Sequence, residues 1–550
     1  PANTPILGYP WAGTDVGIGE HAGVSLFAKY GHFLTGSAGG NNYSVHSGTR
    51  RTPLRQKDPR KLTLDYGKRY VAFTMSDGDN LPVISSDNWP RLWGMKERGA
   101  VPITWTVSPL SCVMFPDIMD YYYSTATDND TFGAAVSGVG YTYPADYGER
   151  YTDSGRVFGG FLELTERYMR KMDLRVLFPM HVTEKEIGIM AAGLPWLRGL
   201  FPDYFRNVSR YGDSLFLTAG GVPVLRSATT WDTSVAGREY AAQHMAKEIR
   251  AFACVREGEP AFVHAFLCNW GYNPPVVKRV AELLGEDWVF VSAEEIAALE
   301  KEYLQREKLA LSVPGEVMLT DRGRASLSLS VRNASEEPAE AVFELEGAES
   351  EPLRAVIGPG AKETLEIGFA PREDRAVLKA SFDGKTKEYG VLVRAFDLTG
   401  LPEGFRGRRY EQAAHFEAGS LPSLTSETYT TEEGVGYRMA VHGESRDGAV
   451  IYGPYMPLEP GRYVAVFSLM RLDDKGDGGQ VCSADVVPAG SHDKAVEISV
   501  DRGMLPVGKQ AFVYAPFEWK EAAQFEARVH WKTGSDFLRV DGVTLLRAAE

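Results

Sequence analysis

The sequence of 550 residues lacks the patterns that indicate a membrane-spanning helix, a disulfide framework or a structural zinc site. No run of about 18 apolar residues occurs, so no helix that crosses a bilayer is predicted. The cysteines are too few and too scattered for a disulfide framework, and neither a CxxC pair nor a CxxC…HxxxH spacing supports a zinc site. The four cysteines are Cys112, Cys254, Cys268 and Cys482.

Basic side chains are also in the minority. Lys and Arg number 59 against 73 Asp and Glu, which gives a formal net charge of −14. Such a surface would repel nucleic acid and anionic membranes, so we expect neither as a partner. With 24% charged and 44% hydrophobic residues and a mean hydropathy of −0.23, the composition is that of a folded protein of several domains.

The first 300 residues alternate short apolar runs with amphipathic patterns of helical spacing. Two capping boxes, Thr183 with Glu186 and Ser292 with Glu295, mark helix starts. This alternation predicts an α/β domain over residues 1–306, with a TIM-like (β/α) barrel favoured over an open doubly wound sheet. The predicted strands are Ile6–Trp11, Val71–Met75, Ile103–Val107, Leu174–Phe178, Ser214–Thr218, Ala261–Leu267 and Val289–Val291.

Two all-β sandwich domains are predicted to follow the barrel. Residues 307–396 alternate short strands with Pro/Gly turns and predict a small Ig-like β-sandwich. Residues 397–550 start with a linker and then predict a β jelly roll. Its segments Gly453–Tyr455, Gly461–Tyr463 and Arg539–Val543 resemble carbohydrate-binding modules, with a purely structural role as the alternative.

The segment Thr74–Asn80 carries the strongest signal for catalysis. A buried strand delivers Asp77 and Asp79 into a glycine-containing turn. Acids at the carboxyl end of a barrel strand are catalytic candidates, because the active site of such a barrel lies on that face. Two neighbouring carboxylates can also hold different pKa values, one as acid and one as base. The alternative is a turn cap, or a structural cation held together with Asn80, which we otherwise predict to contact substrate.

A second distinctive stretch is Ser137–Pro144. Its residues Gly138, Gly140, Tyr141, Tyr143 and Pro144 match the motif that names the GxGYxYP family of bacterial glycoside hydrolases. The resemblance covers about residues 1–300 and also includes the acidic segment just described. It implies a glycoside hydrolase, with a carbohydrate as its substrate.

The motif provides two aromatic rings on a backbone that its glycines make conformationally free. The glycines would let the chain approach a ligand, and Tyr141 and Tyr143 would stack on a sugar. Trp11, at the end of the first predicted strand, would do the same. The alternative is that these rings pack inward.

Glu20, in a predicted loop, would complete the catalytic pair of carboxylates, and Asp130 would contact substrate. The alternative for both is a solvated loop acid.

Three further polar or aromatic residues end predicted strands and would face the mouth of the barrel. They are His181, Asn269 and Trp270, which we predict to contact substrate. His264 lies inside a strand and is predicted to be a core residue.

Together these observations predict an enzyme that cleaves O-glycosidic bonds with carboxylate acid/base catalysis by Asp77, Asp79 and Glu20. No cofactor and no metal ion are predicted. One alternative is a metal-assisted deacylase of glycans, in which the two aspartates and a histidine hold a cation. The other is a glycan-binding protein without turnover. The oligomeric state stays open.

The beginning of the chain bears on its location. The first residue is Pro1, and no basic and apolar leader follows it. Either a leader has been removed or the chain has been trimmed. We expect a secreted, periplasmic or cell-surface protein.

Overall fold

The computed structural model describes residues 1–10, 18–36, 40, 42–86, 88–202, 215–228, 237–253, 258–319, 324–441, 445–489 and 493–549. These residues form two compact units, which follow each other in sequence at Ala310 and Leu311. They are called the N-terminal unit and the C-terminal unit below. Among the described residues, no helix is both long and apolar enough to cross a membrane.

The N-terminal unit mixes strands and helices. Its described strands are β1 (Thr4–Leu7), β2 (His32–Thr35), β3 (Arg69–Met75), β4 (Ile103–Val107), β5 (Asp130–Ala135), β6 (Val176–Phe178), β7 (Gly199–Leu200), β8 (Leu215–Leu217), β9 (Pro223–Leu225), β10 (Ala261–Leu267) and β11 (Trp288–Val291). Its described helices are α1 (Glu20–Lys29), α2 (Tyr43–His46), α3 (Leu81–Ser85), α4 (Asn88–Trp93), α5 (Ser111–Met114), α6 (Pro116–Thr125), α7 (Ser154–Lys171), α8 (Glu184–Gly193), α9 (Arg238–Ala253), α10 (Pro274–Leu284) and α11 (Ala293–Glu307).

One sheet organises this unit. Its strand order is β10-β3-β4-β5-β6-β7-β9-β8, and all neighbours are parallel except β8 and β9. Strands β4 and β10 are buried along their whole length, and β3 along nearly all of it, as expected for a parallel sheet that is covered on both faces. The short strands β1 and β2 form a separate parallel pair.

The α/β class is confirmed, but the TIM-like barrel is not shown in full. The first four residues of β3 pair with β11 and its last three pair with β4, so two strands share one edge of β3. This departs from the regular succession of an ideal barrel and leaves a curled sheet among the described residues. An isolated parallel bridge joins Ser227, just after β9, to His264 on β10.

Several local predictions for this unit are confirmed. Both capping boxes are present, at the starts of α8 and α11. Strands β4 and β10 have the predicted bounds. His264 is fully buried, and burial lowers the pKa of its imidazole to about 3. The first strand ends at Leu7, earlier than predicted, and β5 was not among the predicted strands.

The C-terminal unit is built from strands. Together with β12, which begins just before it, its described strands are β12 (Leu309–Ser312), β13 (Glu316–Leu319), β14 (Ala325–Asn333), β15 (Ala339–Glu346), β16 (Ala348–Glu349), β17 (Leu353–Ile357), β18 (Lys362–Pro371), β19 (Arg375–Phe382), β20 (Lys385–Ala395), β21 (Tyr410–Glu417), β22 (Glu427–Thr430), β23 (Gly436–Ala440), β24 (Gly448–Ile451), β25 (Pro454–Leu458), β26 (Gly461–Arg471), β27 (Gln480–Pro488), β28 (Val496–Asp501), β29 (Gln510–Trp519), β30 (Ala523–Trp531) and β31 (Leu538–Ala548).

These strands make two pairs of sheets, which confirms a β-rich C-terminal region. The first pair has the orders β12-β14-β18-β16 and β13-β20-β19-β15-β17. The second pair has the orders β22-β23-β31-β26-β29, with β21 on β31, and β24-β30-β27-β28, with β25 on β30. Alternate side chains of the second pair, among them Phe467, Val529 and Trp531, form one apolar core.

Candidate active site

The turn that follows β3 holds the two predicted catalytic aspartates in place. Gly78 lies between them and presses against β4, where a Cβ atom at position 78 would stand 1.4 Å from the carbonyl oxygen of Thr106. The amide of Gly78 donates to the Thr106 hydroxyl at 3.1 Å, and the amide of Ser108 donates to the carbonyl of Gly78 at 2.6 Å. Asp77 itself has a φ of 63°. Only glycine fits the middle of this turn, which fixes both carboxylates at the carboxyl end of the sheet.

Asn269 lies beside Asp77 because of strand register. Leu267 pairs with Met75, so the residues two positions further along each strand are neighbours. The Asn269 amide nitrogen Nδ2 donates to Asp77 Oδ2 at 2.6 Å, and Asn269 Oδ1 accepts a hydrogen bond from Asn88 Nδ2 at 2.6 Å. The buried amide of Asn269 is therefore oriented with its donor toward the carboxylate.

The carboxyl groups of Asp77 and Asp79 have raised pKa values and are therefore weaker acids than usual. Burial raises the pKa of Asp77 to about 6, against the opposing effect of a hydrogen bond from Ser76, and the charge of Glu20 adds to the increase. Burial and the neighbouring charge of Asp77 raise the pKa of Asp79 to about 8. In the described part of the chain, no Arg or Lys forms an ion pair with either carboxylate. The pair therefore holds one group that ionises below neutral pH and one that ionises above it.

Glu20 joins this cluster from a different element. It is the first residue of α1 rather than a loop residue, which corrects the prediction, and a carboxylate in the first turn suits the positive end of the helix dipole. The Tyr141 hydroxyl donates to Glu20 Oε1 at 3.1 Å. Glu20 also raises the pKa of Asp77 and of Asp79 through its charge. The structure thus brings the three predicted catalytic carboxylates together.

The two tyrosines of the motif point inward. Tyr141 is bonded to Leu34 through two backbone hydrogen bonds of 2.8 Å, and the rings of Tyr141 and Tyr143 are only 6% and 3% exposed. Their hydroxyls lie 3.3 Å apart, and the Tyr143 hydroxyl is 2.5 Å from His21 Nδ1. Because the rings are buried, they do not form the stacking surface predicted from the sequence. Their hydroxyls face the cluster instead.

The glycines of the motif serve packing within the protein. A Cβ atom on Gly138 would lie 2.5 Å from the Thr165 hydroxyl, and one on Gly140 would lie 2.7 Å from the carbonyl oxygen of Leu34. The space that these glycines leave is filled by the protein. This corrects their interpretation as room for a ligand.

His181 and Trp270 lie at the edge of the cluster. His181 follows β6, its ring centre is 5.0 Å from that of Tyr143, and its Nε2 is 3.9 Å from Asp146 Oδ2. Trp270 is 53% exposed, and its hydrogen bond to Asp77 helps to lower the pKa of that carboxyl. Trp270 therefore lies next to the acidic turn, whereas His181 lies next to Tyr143; substrate contact by either residue stays a prediction.

Asp130 is not part of the cluster. It lies at the start of β5, where its side chain forms an ion pair with Arg98 and accepts hydrogen bonds from Trp105 Nε1 at 2.9 Å and from the Thr127 hydroxyl at 2.7 Å. Its carboxylate is almost fully buried by these partners. The expectation that Asp130 contacts substrate is corrected, because its oxygens are used to hold β4 and β5 together.

The remaining predictions concern Asn80 and Trp11. Asn80 follows Asp79 and forms a parallel bridge with Gly36. Its buried Oδ1 has no hydrogen-bond partner among the residues that the structure describes. Trp11 lies outside the described residues.

Tyr9 is a member of the site that the sequence did not reveal. Burial raises the pKa of its phenol far above the ordinary value, and the charges of Asp79, Glu20 and Asp77 raise it further. The ring therefore lies close to all three carboxylates. The only sequence signal for Tyr9 was its position shortly after the first strand. The prediction for that position named Trp11 instead.

The described residues contain no group of three or more His, Cys, Asp or Glu side chains in an arrangement that would hold a metal ion.

The model of the GxGYxYP putative glycoside hydrolase C-terminal domain matches residues 67–301. The predicted family resemblance is confirmed over this region. The matched region includes the acidic turn, the two tyrosines and Asn269, whereas Glu20 and Tyr9 precede it.

Solved structures add similarities of low identity. A putative hydrolase from Bacteroides thetaiotaomicron VPI-5482 is 20% identical, with a TM-score of 0.45, over 55% of this chain and 57% of that chain. This chain thus matches little more than half the length of that hydrolase. No match was found among curated proteins.

Two carbohydrate-binding modules are also similar to part of this chain. The C-terminal CBM6 of LamC, a marine laminarinase from Zobellia galactanivorans, is 12% identical, with a TM-score of 0.19, over 24% of this chain and 98% of that chain. A module of lichenase 5A from Cellvibrio mixtus, in complex with cellotriose, is 12% identical with the same TM-score of 0.19, over 25% of this chain and its own full length.

Proposed function

We propose that this protein is a glycoside hydrolase that cleaves O-glycosidic bonds at the cluster of Asp77, Asp79 and Glu20. The observation that supports the proposal best is the pair of pKa values, about 6 for Asp77 and about 8 for Asp79. At neutral pH such a pair supplies one ionised and one protonated carboxyl group. Glycosidic cleavage needs both, a general acid for the leaving oxygen and a base or nucleophile at the sugar.

The environments of the two aspartates suggest their roles. Asp79 keeps its proton at neutral pH and would act as the general acid. Asp77 is ionised at neutral pH, receives the Asn269 amide hydrogen at 2.6 Å, and would act as the base or nucleophile. Glu20, the first residue of α1, would be a third carboxyl group of the site that takes up and returns a proton during the reaction.

Trp270 would supply the stacking surface for the sugar. Among the aromatic residues at the site, it is more than half exposed, whereas the two tyrosines of the motif are buried. Its contact with Asp77 would place a stacked pyranose ring next to the acidic turn. Asn80 and His181 would add polar contacts.

The finer features of the predicted architecture belong to the same proposal. The bridge between Ser227 and His264 would close the curled sheet into a distorted barrel around the site. The second pair of C-terminal sheets would form a jelly roll that binds carbohydrate. Such a protein would work outside the cytoplasm, where polysaccharides are found.

A substrate screen tests the enzymatic proposal. The full chain is incubated with a broad panel of aryl glycosides and oligosaccharides, and released sugars are quantified. The double variant Asp77→Asn/Asp79→Asn is compared with Asp128→Asn, a matched control in which the carboxylate is exposed and lies outside the cluster. We expect release by the wild type and by the control, but not by the double variant.

Three outcomes would contradict the proposal. Equal release by the double variant would place the reaction elsewhere in the chain. Binding of a glycan without any product after long incubation would support a binding protein instead. Loss of activity in EDTA that a divalent ion restores would favour the metal-assisted deacylase.

A further inference from the structure

A chain of hydrogen bonds connects Glu20 with the imidazole of His21 through the two tyrosines of the motif. Glu20 Oε1 is 3.1 Å from the Tyr141 hydroxyl, the two tyrosine hydroxyls are 3.3 Å apart, and the Tyr143 hydroxyl is 2.5 Å from His21 Nδ1. Both tyrosine rings are buried, whereas Glu20 and His21 are exposed. The connection therefore runs through the protein interior and has both ends at the surface.

The two ends point in different directions. Glu20 and His21 are consecutive residues of α1, and consecutive side chains of a helix project about 100° apart. A substrate that covers Glu20 would therefore leave His21 open to water. Under a bound sugar, the connection through the tyrosines would link Glu20 to solvent.

If all three contacts are hydrogen bonds and every hydroxyl hydrogen lies within this network, the hydrogen atoms can be placed in two ways. Each tyrosine hydroxyl has a single hydrogen to donate. If Tyr141 donates to Glu20, then Tyr143 donates to Tyr141 and the Nδ1–H of His21 donates to Tyr143. In the reverse arrangement, a protonated Glu20 donates to Tyr141, which donates to Tyr143, which donates to the bare Nδ1 of a neutral His21. With His21 as an imidazolium in the first arrangement, the two arrangements differ by the transfer of one proton.

We propose that Tyr141 and Tyr143 relay a proton between His21 and Glu20 during turnover, an inference that rests on the proposed function. The Nδ1–H bond of the His21 imidazolium breaks as an O–H bond forms on Tyr143. The original hydrogen of Tyr143 passes to Tyr141, and that of Tyr141 passes to Glu20 Oε1. Three bonds to hydrogen break and three form, without oxidation or reduction. His21 ends neutral with its hydrogen on Nε2, and Glu20 ends as a carboxylic acid.

The surroundings of these hydrogen bonds favour a concerted transfer of the protons. Burial raises the pKa of Tyr143 to about 12 and that of Tyr141 further, so neither tyrosine ionises at working pH. The other titratable groups facing the chain are Asp77 and Asp79 near Glu20, and Asp146 and His181 near Tyr143. Asp146 accepts a hydrogen bond from the Ser25 hydroxyl at 2.7 Å.

The first test needs no substrate, so it is independent of the proposed function. The His21 imidazole of the full chain is titrated by NMR in the wild type, Glu20→Gln, Tyr141→Phe and the double variant. We expect Glu20→Gln to move the midpoint of the His21 titration by about half a pH unit or more. In the Tyr141→Phe background, the same substitution should move it by less than half as much.

A matched control is Tyr147→Phe. Tyr147 is another buried tyrosine, and its hydroxyl lies within hydrogen-bond distance of Asn3 Oδ1 and the Gly31 carbonyl oxygen, away from Glu20 and His21. The effect of Glu20→Gln should be unchanged in the Tyr147→Phe background. Equal effects with and without the Tyr141 hydroxyl would mean that the two groups interact only through space, which would overturn the relay.

The second test uses turnover once a substrate is in hand. His21→Ala should lower kcat about tenfold or more with little change in KM, because proton delivery is lost but binding is not. Added imidazole should restore kcat in His21→Ala and leave the wild type unaffected. A kcat that is unchanged in His21→Ala, or a loss that imidazole does not restore, would contradict a relay through His21.

Discussion

Asp79 in the N-terminal unit and Asp485 in the C-terminal unit are both buried carboxylates, but their neighbours carry opposite charge. Asp485 on β27 receives two hydrogen bonds from Arg528, at 2.7 and 3.0 Å, and lies 3.2 Å from Lys494 Nζ. Asp79 lies near two further carboxylates, those of Asp77 and Glu20. Burial of a charge next to a cation is compensated, whereas burial next to like charges keeps the proton on the acid.

The same contrast separates residues within the N-terminal unit. Asp130 forms an ion pair with Arg98, and Glu295 accepts hydrogen bonds of 2.8 Å from Arg60. These acids join parts of the chain that are distant in sequence, so their partners define structural roles. Asp77 and Asp79 do not have such partners in the described part of the chain. A buried carboxylate without a cation is costly for the fold, and this cost is a physical reason to expect a function there.

The largest effect on stability is expected where a compensated carboxylate is removed. Asp130→Asn and Asp485→Asn should each lower the free energy of unfolding by about 3 kcal/mol, because the partly buried Arg98 or Arg528 loses its counter-charge. Urea unfolding of the full chain measures this change. Asp128→Asn, with its exposed carboxylate, should leave the unfolding midpoint where it is. Equal unfolding midpoints for all variants would mean that the buried ion pairs of Asp130 and Asp485 do not stabilise the fold.

The largest effect on turnover is expected at the uncompensated pair. Asp79→Asn should lower kcat by about a hundredfold or more, because the general acid is lost, and should not lower the unfolding midpoint. Steady-state kinetics and thermal unfolding of the same preparation measure both quantities. A destabilised but fully active Asp79→Asn would assign Asp79 a structural role like that of Asp130.

The pH dependence of stability should also differ between the two units. Asp79 has its pKa raised to about 8, so the native state holds a proton that the unfolded state releases near pH 4. Stability of the N-terminal unit should therefore fall as the pH rises from about 4 to about 8, by up to about 5 kcal/mol, since each pKa unit corresponds to about 1.4 kcal/mol. Hydrogen exchange of each unit measures this fall, and Asp79→Asn should reduce it.

The C-terminal unit should respond in the opposite sense. Burial favours the neutral form of Glu316, but its hydrogen bond from His415 and the charges of His415 and Arg394 outweigh burial and lower its pKa. The stabilisation that Glu316 provides is complete above its ordinary pKa, about 4.3, and is lost as the pH falls through the lowered value. Glu316→Gln should remove this acid sensitivity. The same pH response in both units would contradict the comparison.

The smallest effect is expected from a residue that acts through another. Asn88→Ala removes the donor that orients the Asn269 amide toward Asp77, and should lower kcat about fivefold, since one hydrogen bond contributes about 1 kcal/mol. The alkaline limb of the pH profile, which reports Asp79, should stay unchanged while the acid limb, which reports Asp77, moves to higher pH. A shift of both limbs together would indicate a general disturbance of the turn.

Much of the site was determined by local sequence. The segment Thr74–Asn80 places two acids after an apolar run, and a parallel strand of this kind ends at the edge where side chains from neighbouring strands meet. Asn269 and Trp270 end another such run, and the two capping boxes mark helix starts. These features depend on residues within one element, so the pattern of the sequence is enough to find them.

Contacts between distant elements were decided only by the tertiary structure. The sequence could not distinguish Asp130 from Asp79, because the difference lies in Arg98, a residue from another element that neutralises only one of them. It could not predict that Tyr141 and Tyr143 are buried, since their neighbours Phe33 and Leu34 belong to the strand β2, far away in the chain. Tyr9 and Glu20 reach the acidic turn for the same reason. Local sequence determines where an element begins and ends, whereas packing between elements decides which charges are compensated and which are left for chemistry.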